Sequence, residues 1–221
     1  MDFLIRDKSI FIFDWDGTIL DSMPIKIKNF GKVFQDKYGI NYIEAENHYK
    51  KYSGLPRYKI FEELLKIYSI KYNKNDLDSI SNNLSKLNKK FLLKAFLFED
   101  SYYLLKHLIK INKNICISSS VPQLELNYFF RNKLPKNIQK KVKFVLGSNT
   151  NFSKGPDHIN FLQEKFNYNK KDFVMIGDDE ADIKLAKLAD IDSIYINRNL
   201  EINNVKYNNV SSLCEVIKCL N

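Results

Sequence analysis

Residues 9–18 read SIFIFDWDGT. The apolar stretch 9–13 is short enough to be a buried strand. It gives way at once to Asp14 and Asp16, with Gly17 free to make a tight turn. Carboxylates just past the C-terminal end of a strand lie where open α/β sheets bind their ligands. Read alone, the Asp16-Gly17 pair serves equally well as a hairpin turn, so the surrounding chain has to decide.

Further apolar runs of strand length occupy 115–117, 142–146, 173–176 and 193–196. Between the later ones, residues 122–134, 155–166 and 179–188 carry apolar side chains at helical spacing. Strand and helix therefore alternate, which predicts an α/β core built on a doubly wound parallel sheet. Residues 22–98 break the alternation with helical patterns at 25–38, 57–67 and 77–97 and no strand. The expected organisation is an α/β core of residues 1–21 plus 99–221, with 22–98 as a small inserted helical domain.

Composition narrows the class. The chain has 221 residues, 44% hydrophobic and 28% charged, an ordinary globular balance. No apolar stretch approaches the roughly 20 residues of a spanning helix, and the first residues lack a signal-peptide pattern, so no membrane partner and a cytoplasmic location are expected. Cys116, Cys214 and Cys219 form no CxxC pair, which points to reduced thiols rather than disulfides or a zinc site. The net charge of +9 comes from lysines spread along the chain without a basic run. That predicts no nucleic-acid partner and a mild attraction for anionic small molecules.

The later strands supply the rest of a site. The run ending at Ile176 and Gly177 is followed by Asp178 and Asp179, with Asp182 one helical turn after Asp178. A buried cluster of Asp14, Asp16, Asp178 and Asp182 repels itself and calls for a cation. Magnesium suits such oxygen ligands and leaves room for a phosphate. Ser118, Ser119 and Ser120 follow the run at 115–117 and stand beside a helix start, where hydroxyls and backbone N–H groups can meet an anion. Lys154 precedes Gly155 and Pro156 at another helix start.

An aspartate pair in DWDGT, a serine, a lysine and a GDxxxD acidic motif, in this order, resemble the four motifs of the haloacid dehalogenase superfamily, and the resemblance spans nearly the whole chain. It implies a magnesium-dependent phosphatase acting on a small phosphate monoester. Asp14 would be the nucleophile and Asp16 the general acid and base. Ser119, with Ser118 and Ser120 as rivals, and Lys154 would bind the phosphoryl group. Asp14, the backbone carbonyl of Asp16 and the carboxylate of Asp178 would ligate magnesium, supported by Asp182. Asp179 stands where many relatives have serine, so its role is open. In capped relatives a Gly-x-x-Arg turn faces the active site, which points to Gly54 and Arg57 as specificity residues, Arg57 gripping a second anionic group of the substrate.

Other readings account for fewer of these features. A sugar phosphomutase of the β-phosphoglucomutase kind shares cap and motifs, but Lys26 stands where that mutase has a histidine. A response-regulator receiver has the acidic pair before its phosphorylated aspartate, the reverse of the order here. A non-enzymatic basic binding protein would leave the order of motifs as coincidence.

Overall fold

The computed structural model describes residues 5–149, 151–198 and 208–220. Its strands are β1 (Ile10–Phe13), β2 (Asn114–Pro122), β3 (Val142–Ser148), β4 (Phe173–Gly177), β5 (Asp192–Ile196) and β6 (Asn209–Val210). They form one parallel sheet in the order β3-β2-β1-β4-β5-β6. The chain winds outward from β1 in both directions, and β1 pairs with β2 and β4, Phe13 standing level with Ile117 and Ile176. Asp14, the next residue, thus emerges at the topological switch point, where such sheets bind ligands.

The longer helices are α1 (Met23–Tyr38), α2 (Tyr42–Tyr52), α3 (Arg57–Ile67), α4 (Lys74–Phe91), α5 (Glu99–Lys110), α6 (Gln123–Lys133), α7 (Pro156–Phe166), α8 (Glu180–Leu188) and α9 (Leu213–Leu220), with a single turn at Lys136–Gln139. Alternation along the strands covers both faces of the sheet. Phe11, Phe13, Ile115, Ile117, Val174 and Ile176 bury against Leu104, Leu108, Leu126, Phe129 and Val216 of α5, α6 and α9. Ile10, Ile12, Cys116 and Met175 face the other way, onto Ile159, Leu162 and Ala186 of α7 and α8. The result is the three-layer α/β fold anticipated from the alternation.

Helices α1 to α4 have a core of their own. Phe30, Phe34, Phe61, Leu64, Ile80 and Leu84 are buried together, and the ring of Phe30 lies 4.5 Å from that of Phe34 and 4.8 Å from that of Tyr49. Helix α2 was not expected, because YIEAENHYKKY shows little apolar periodicity. It is fixed instead by Asn41, whose side chain accepts from the backbone N–H groups of Ile43 and Glu44. The pattern at 77–97 overran in the other direction. Helix α4 begins earlier, at a reciprocal cap between Asn73 and Asp76, and gives way to a 3₁₀ turn at Leu92–Lys94.

The segments entering and leaving these helices run side by side. Leu20 bridges antiparallel to Leu97, Asp21 N–H donates to Phe96 O at 2.9 Å and Phe98 N–H to Ile19 O at 3.0 Å. Among the described residues no helix is long and apolar enough to cross a membrane, and all three cysteines are free thiols.

Candidate active site

Asp14 is 6% exposed. Its backbone N–H donates to Ile176 O at 2.8 Å, locking it to β4, and its Oδ1 receives Lys154 Nζ at 2.5 Å. Lys154 also ion-pairs with Asp182, so a single buried ammonium ties the end of β1 to α8. Gly155 takes φ 114°, which turns the chain from Lys154 into α7, with Pro156 at the first helical position.

Asp14, Asp178 and Asp182 each place a carboxylate oxygen within 4.8 Å of the others. Thr18 Oγ1 donates to Asp178 Oδ1 at 2.8 Å. Glycines make the convergence possible. A Cβ on Gly17, at φ 79°, would sit 2.0 Å from Asp178 Oδ2, and one on Gly177 would sit 2.0 Å from Asp182 Oδ2.

Burial pushes the Asp14 carboxyl well above the usual carboxylate range, with Lys154 pulling the other way and Asp182, Asp178 and Asp16 adding repulsion. Burial, then the nearby Asp182, lifts Asp178 to about 7, and Asp182 is raised chiefly by burial. Burial would lower Lys154, but Asp14 and Asp182 hold it well above its ordinary value. Lys154 alone cannot balance three carboxylates, so ionising all of them calls for a further positive charge. This all-oxygen donor set fits a hard divalent cation such as magnesium.

The Asp16 side chain does not join that cluster. Ser22 Oγ donates to its Oδ1 at 2.5 Å and Lys26 Nζ to its Oδ2 at 2.5 Å. The expected group of four carboxylates is therefore three, because a buried lysine on α1 draws the fourth toward the helical layer. Lys26, noted in the sequence only as a replacement for histidine, is 5% exposed and lines the cleft.

The three serines lie inside β2 rather than after it, where the pairing with β3 shifts register between Ser118 and Pro122. Ser119 and Ser120 line the cleft. Ser118 points away, its Oγ 2.8 Å from His158 Nδ1, and burial beside Lys154 lowers that imidazole to about 4 and keeps it neutral. Ser148 Oγ donates to Ser119 O and accepts from Lys154 N–H, joining the serine and lysine segments.

Asp179 acquires a structural part. Its side chain caps α8 by accepting from Ala181 N–H at 2.8 Å and accepts from Ser53 Oγ at 3.2 Å. Gly54 packs on the same spot, where a Cβ would come within 2.5 Å of Ala181 Cβ. Arg57 lines the cleft too, but its Nη2 donates to Glu125 Oε2 at 2.9 Å and its Nη1 to Ser85 Oγ at 2.7 Å. Glu125 was not singled out in the sequence. Neither was Arg198, which reaches back to donate to the Gly17 and Thr18 carbonyls, pairs with Asp100 and lies over the Phe98 ring.

Desolvated carboxylates that repel one another cost stability, and when they converge at the switch point of a doubly wound sheet they mark the active centre of an α/β enzyme. The chain belongs to the haloacid dehalogenase-like hydrolases, whose family pattern matches residues 11–196. Solved structures share its fold. A haloacid dehalogenase-like family hydrolase from Streptococcus pneumoniae superposes with a TM-score of 0.76 at 17% identity, covering 98% of this chain and 100% of that one. A predicted phosphoglycolate phosphatase from Haemophilus somnus gives 0.77 at 14%, covering 97% and 99%. A phosphatase from Thermococcus onnurineus gives 0.62 at 21%, covering 97% and 98%. No curated protein matches the chain.

Proposed function

We propose that this hydrolase is a magnesium-dependent phosphatase of small phosphate monoesters, working through a phosphorylated Asp14. The convergence of Asp14, Lys154, Asp178 and Asp182 in one buried cluster carries the reading. Magnesium would be held by Asp14, Asp178 and the backbone carbonyl of Asp16, with Asp182 behind, and supplies positive charge against the phosphoryl oxygens when bound.

Asp14 attacks phosphorus, the bond to the ester oxygen breaks, and the leaving oxygen takes a proton from Asp16. Asp16 then removes a proton from water, which attacks phosphorus and returns Asp14 as carboxylate with inorganic phosphate. Lys154 and the Ser119 hydroxyl orient and neutralise the phosphoryl group, where most catalysis of phosphoryl transfer arises. Residues 22–98 act as a cap, bringing Ser53, Gly54 and Arg57 over the cleft and excluding water.

Support for a small ester comes from the cleft lined jointly by the helical insert (Met23, Tyr49, Ser53, Arg57) and the α/β core (Asp14, Ser119, Lys154). The test is phosphate release with magnesium from a panel of sugar phosphates, polyol phosphates, phosphoglycolate and nucleotides, joined to mass spectrometry of acid-quenched enzyme. Phosphate should appear on the peptide carrying Asp14. Turnover with label on another residue would move the nucleophile elsewhere.

A further inference from the structure

Three cations line the cleft among the described residues: Lys154, Lys26 and Arg57. Each is already matched. Lys154 pairs with Asp14 and Asp182, Lys26 with Asp16, and Arg57 with Glu125. Lys154 belongs to the phosphoryl end. Lys26 and Arg57 stand toward the cap, where the leaving group of an ester must lie.

The Arg57–Glu125 pair is built into the fold. Glu125 is 2% exposed and sits in the first turn of α6. Its Oε2 accepts from Arg57 Nη2 and from Ser85 Oγ at 2.6 Å. Its Oε1 accepts from Asn88 Nδ2 at 2.8 Å, and Asn88 Oδ1 in turn accepts from Asn29 Nδ2 at 2.9 Å. Burial would raise this carboxyl, but Arg57 and Lys26, helped by the Ser85 and Asn88 hydrogen bonds, hold it below the usual range. Glu125 therefore stays ionised and keeps Arg57 neutralised.

The cap end of the cleft is thus charge-balanced: Lys26 against Asp16, Arg57 against Glu125. A second carboxylate or phosphate on the substrate would be desolvated there without an uncompensated cation to receive it. An uncharged alcohol fits better. Its C–H faces meet Met23, Leu55, Ile60 and Val121, and its hydroxyls meet Tyr49, Ser53 and the remaining N–H donors of Arg57. We infer that the leaving group is uncharged and hydroxylated, a polyol or monosaccharide, and that the paired Arg57 and Glu125 exclude esters carrying a second anion. The inference rests on the phosphatase reading and departs from the expectation that Arg57 grips such an anion.

The test compares kcat/KM for esters matched in size and differing in charge: glycerol 3-phosphate against 3-phosphoglycerate, and glucose 6-phosphate against 6-phosphogluconate. The uncharged member of each pair should be preferred by about tenfold or more. Calorimetric binding to Asp14→Asn should follow the same order. Glu125→Gln keeps shape but frees the Arg57 charge, and should raise the ratio of anionic to uncharged turnover by about tenfold. Should that variant not fold, the wild-type pairs decide alone. Equal or better turnover of the acids overturns the inference and leaves the phosphatase intact. No release from these esters or from p-nitrophenyl phosphate overturns both.

Discussion

Lys26 Nζ lies 2.5 Å from Asp16 Oδ2, so helix α1 reaches to the loop after β1 and holds its second aspartate. The side chains are 6% and 12% exposed, a depth at which losing one partner leaves a costly unpaired charge. On the proposed mechanism, Lys26 would set the rotamer from which Asp16 meets a leaving group. Lys26→Met should lower kcat on an alkyl phosphate by tenfold or more while keeping the fold, by about 1.4 kcal/mol in the barrier. Hydrolysis of p-nitrophenyl phosphate, whose leaving group needs no proton, should lose far less. Equal losses on both esters would detach Lys26 from the positioning of Asp16.

On the proposed mechanism, Asp14→Asn removes the attacking anion and preserves shape. Turnover should fall a thousandfold or more, about 4 kcal/mol in the barrier. The melting temperature should hold or rise, because the ionised Asp14 is disfavoured by burial and by its acidic neighbours. A variant retaining a tenth of wild-type activity after rigorous purification would remove Asp14 from the nucleophile's role.

The raised carboxyls make stability depend on pH and metal. A carboxyl whose folded pKa exceeds its unfolded one binds more protons in the folded state, so its contribution is present below the unfolded pKa and lost as pH rises through the folded value. For Asp178 that window runs from the ordinary value of 3.8 to about 7, and the upward shifts of Asp14 and Asp182 act in the same sense. Lys154, held high, stays charged throughout. Metal-free protein should therefore lose on the order of 2 kcal/mol or more between pH 5 and pH 8. Thermal melts in chelator against excess magnesium should show the fall only in chelator, and a flat chelator profile would contradict it. Activity should vanish reversibly with chelation, and calcium should restore it poorly because of its longer, looser coordination.

Gly17→Ala tests the turn that brings the carboxylates together. Its φ of 79° and the 2.0 Å approach of a Cβ to Asp178 Oδ2 combine backbone strain with a clash at the site. The expected loss is about 1–3 kcal/mol of stability by denaturant titration, with turnover reduced more than a hundredfold. Unchanged kinetics would mean that the loop yields without disturbing Asp178.

The sequence displayed the chemistry at strand ends and hid it on helices. Asp14, Asp178 and Lys154 stand where an apolar run stops or a helix starts, so pattern and topology together locate them. Lys26 and Glu125 are single charged residues within helices, indistinguishable in sequence from a solvated face, and only tertiary packing buries them. The serines of β2 read as lying past the strand because the apolar run stops at Ile117, although Ser118 and Ser119 are each 1% exposed. Similarly, α2 escaped notice because its inward stripe is Ala45, His48 and Tyr49. Arg57 was visible as a cleft residue, but its partner lies 68 positions away in sequence, beyond the reach of any local pattern.

The paired segments at Leu20 and Leu97 have a consequence for modularity. Neighbouring strands stand about 4.8 Å apart, so the intervening helices form a closed excursion whose two ends already touch. The entropy of closing a loop grows only slowly with its length, and the core hardly distinguishes a long detour from a short turn. Joining residue 21 to residue 96 through a two- or three-residue linker would therefore leave the α/β core with its registers intact. The excised helices would retain their aromatic core around Phe30 and Phe61. Such an insert could be exchanged for another of different shape while the residues at the ends of the central strands stay the same, and the selectivity of the enzyme would change with the insert.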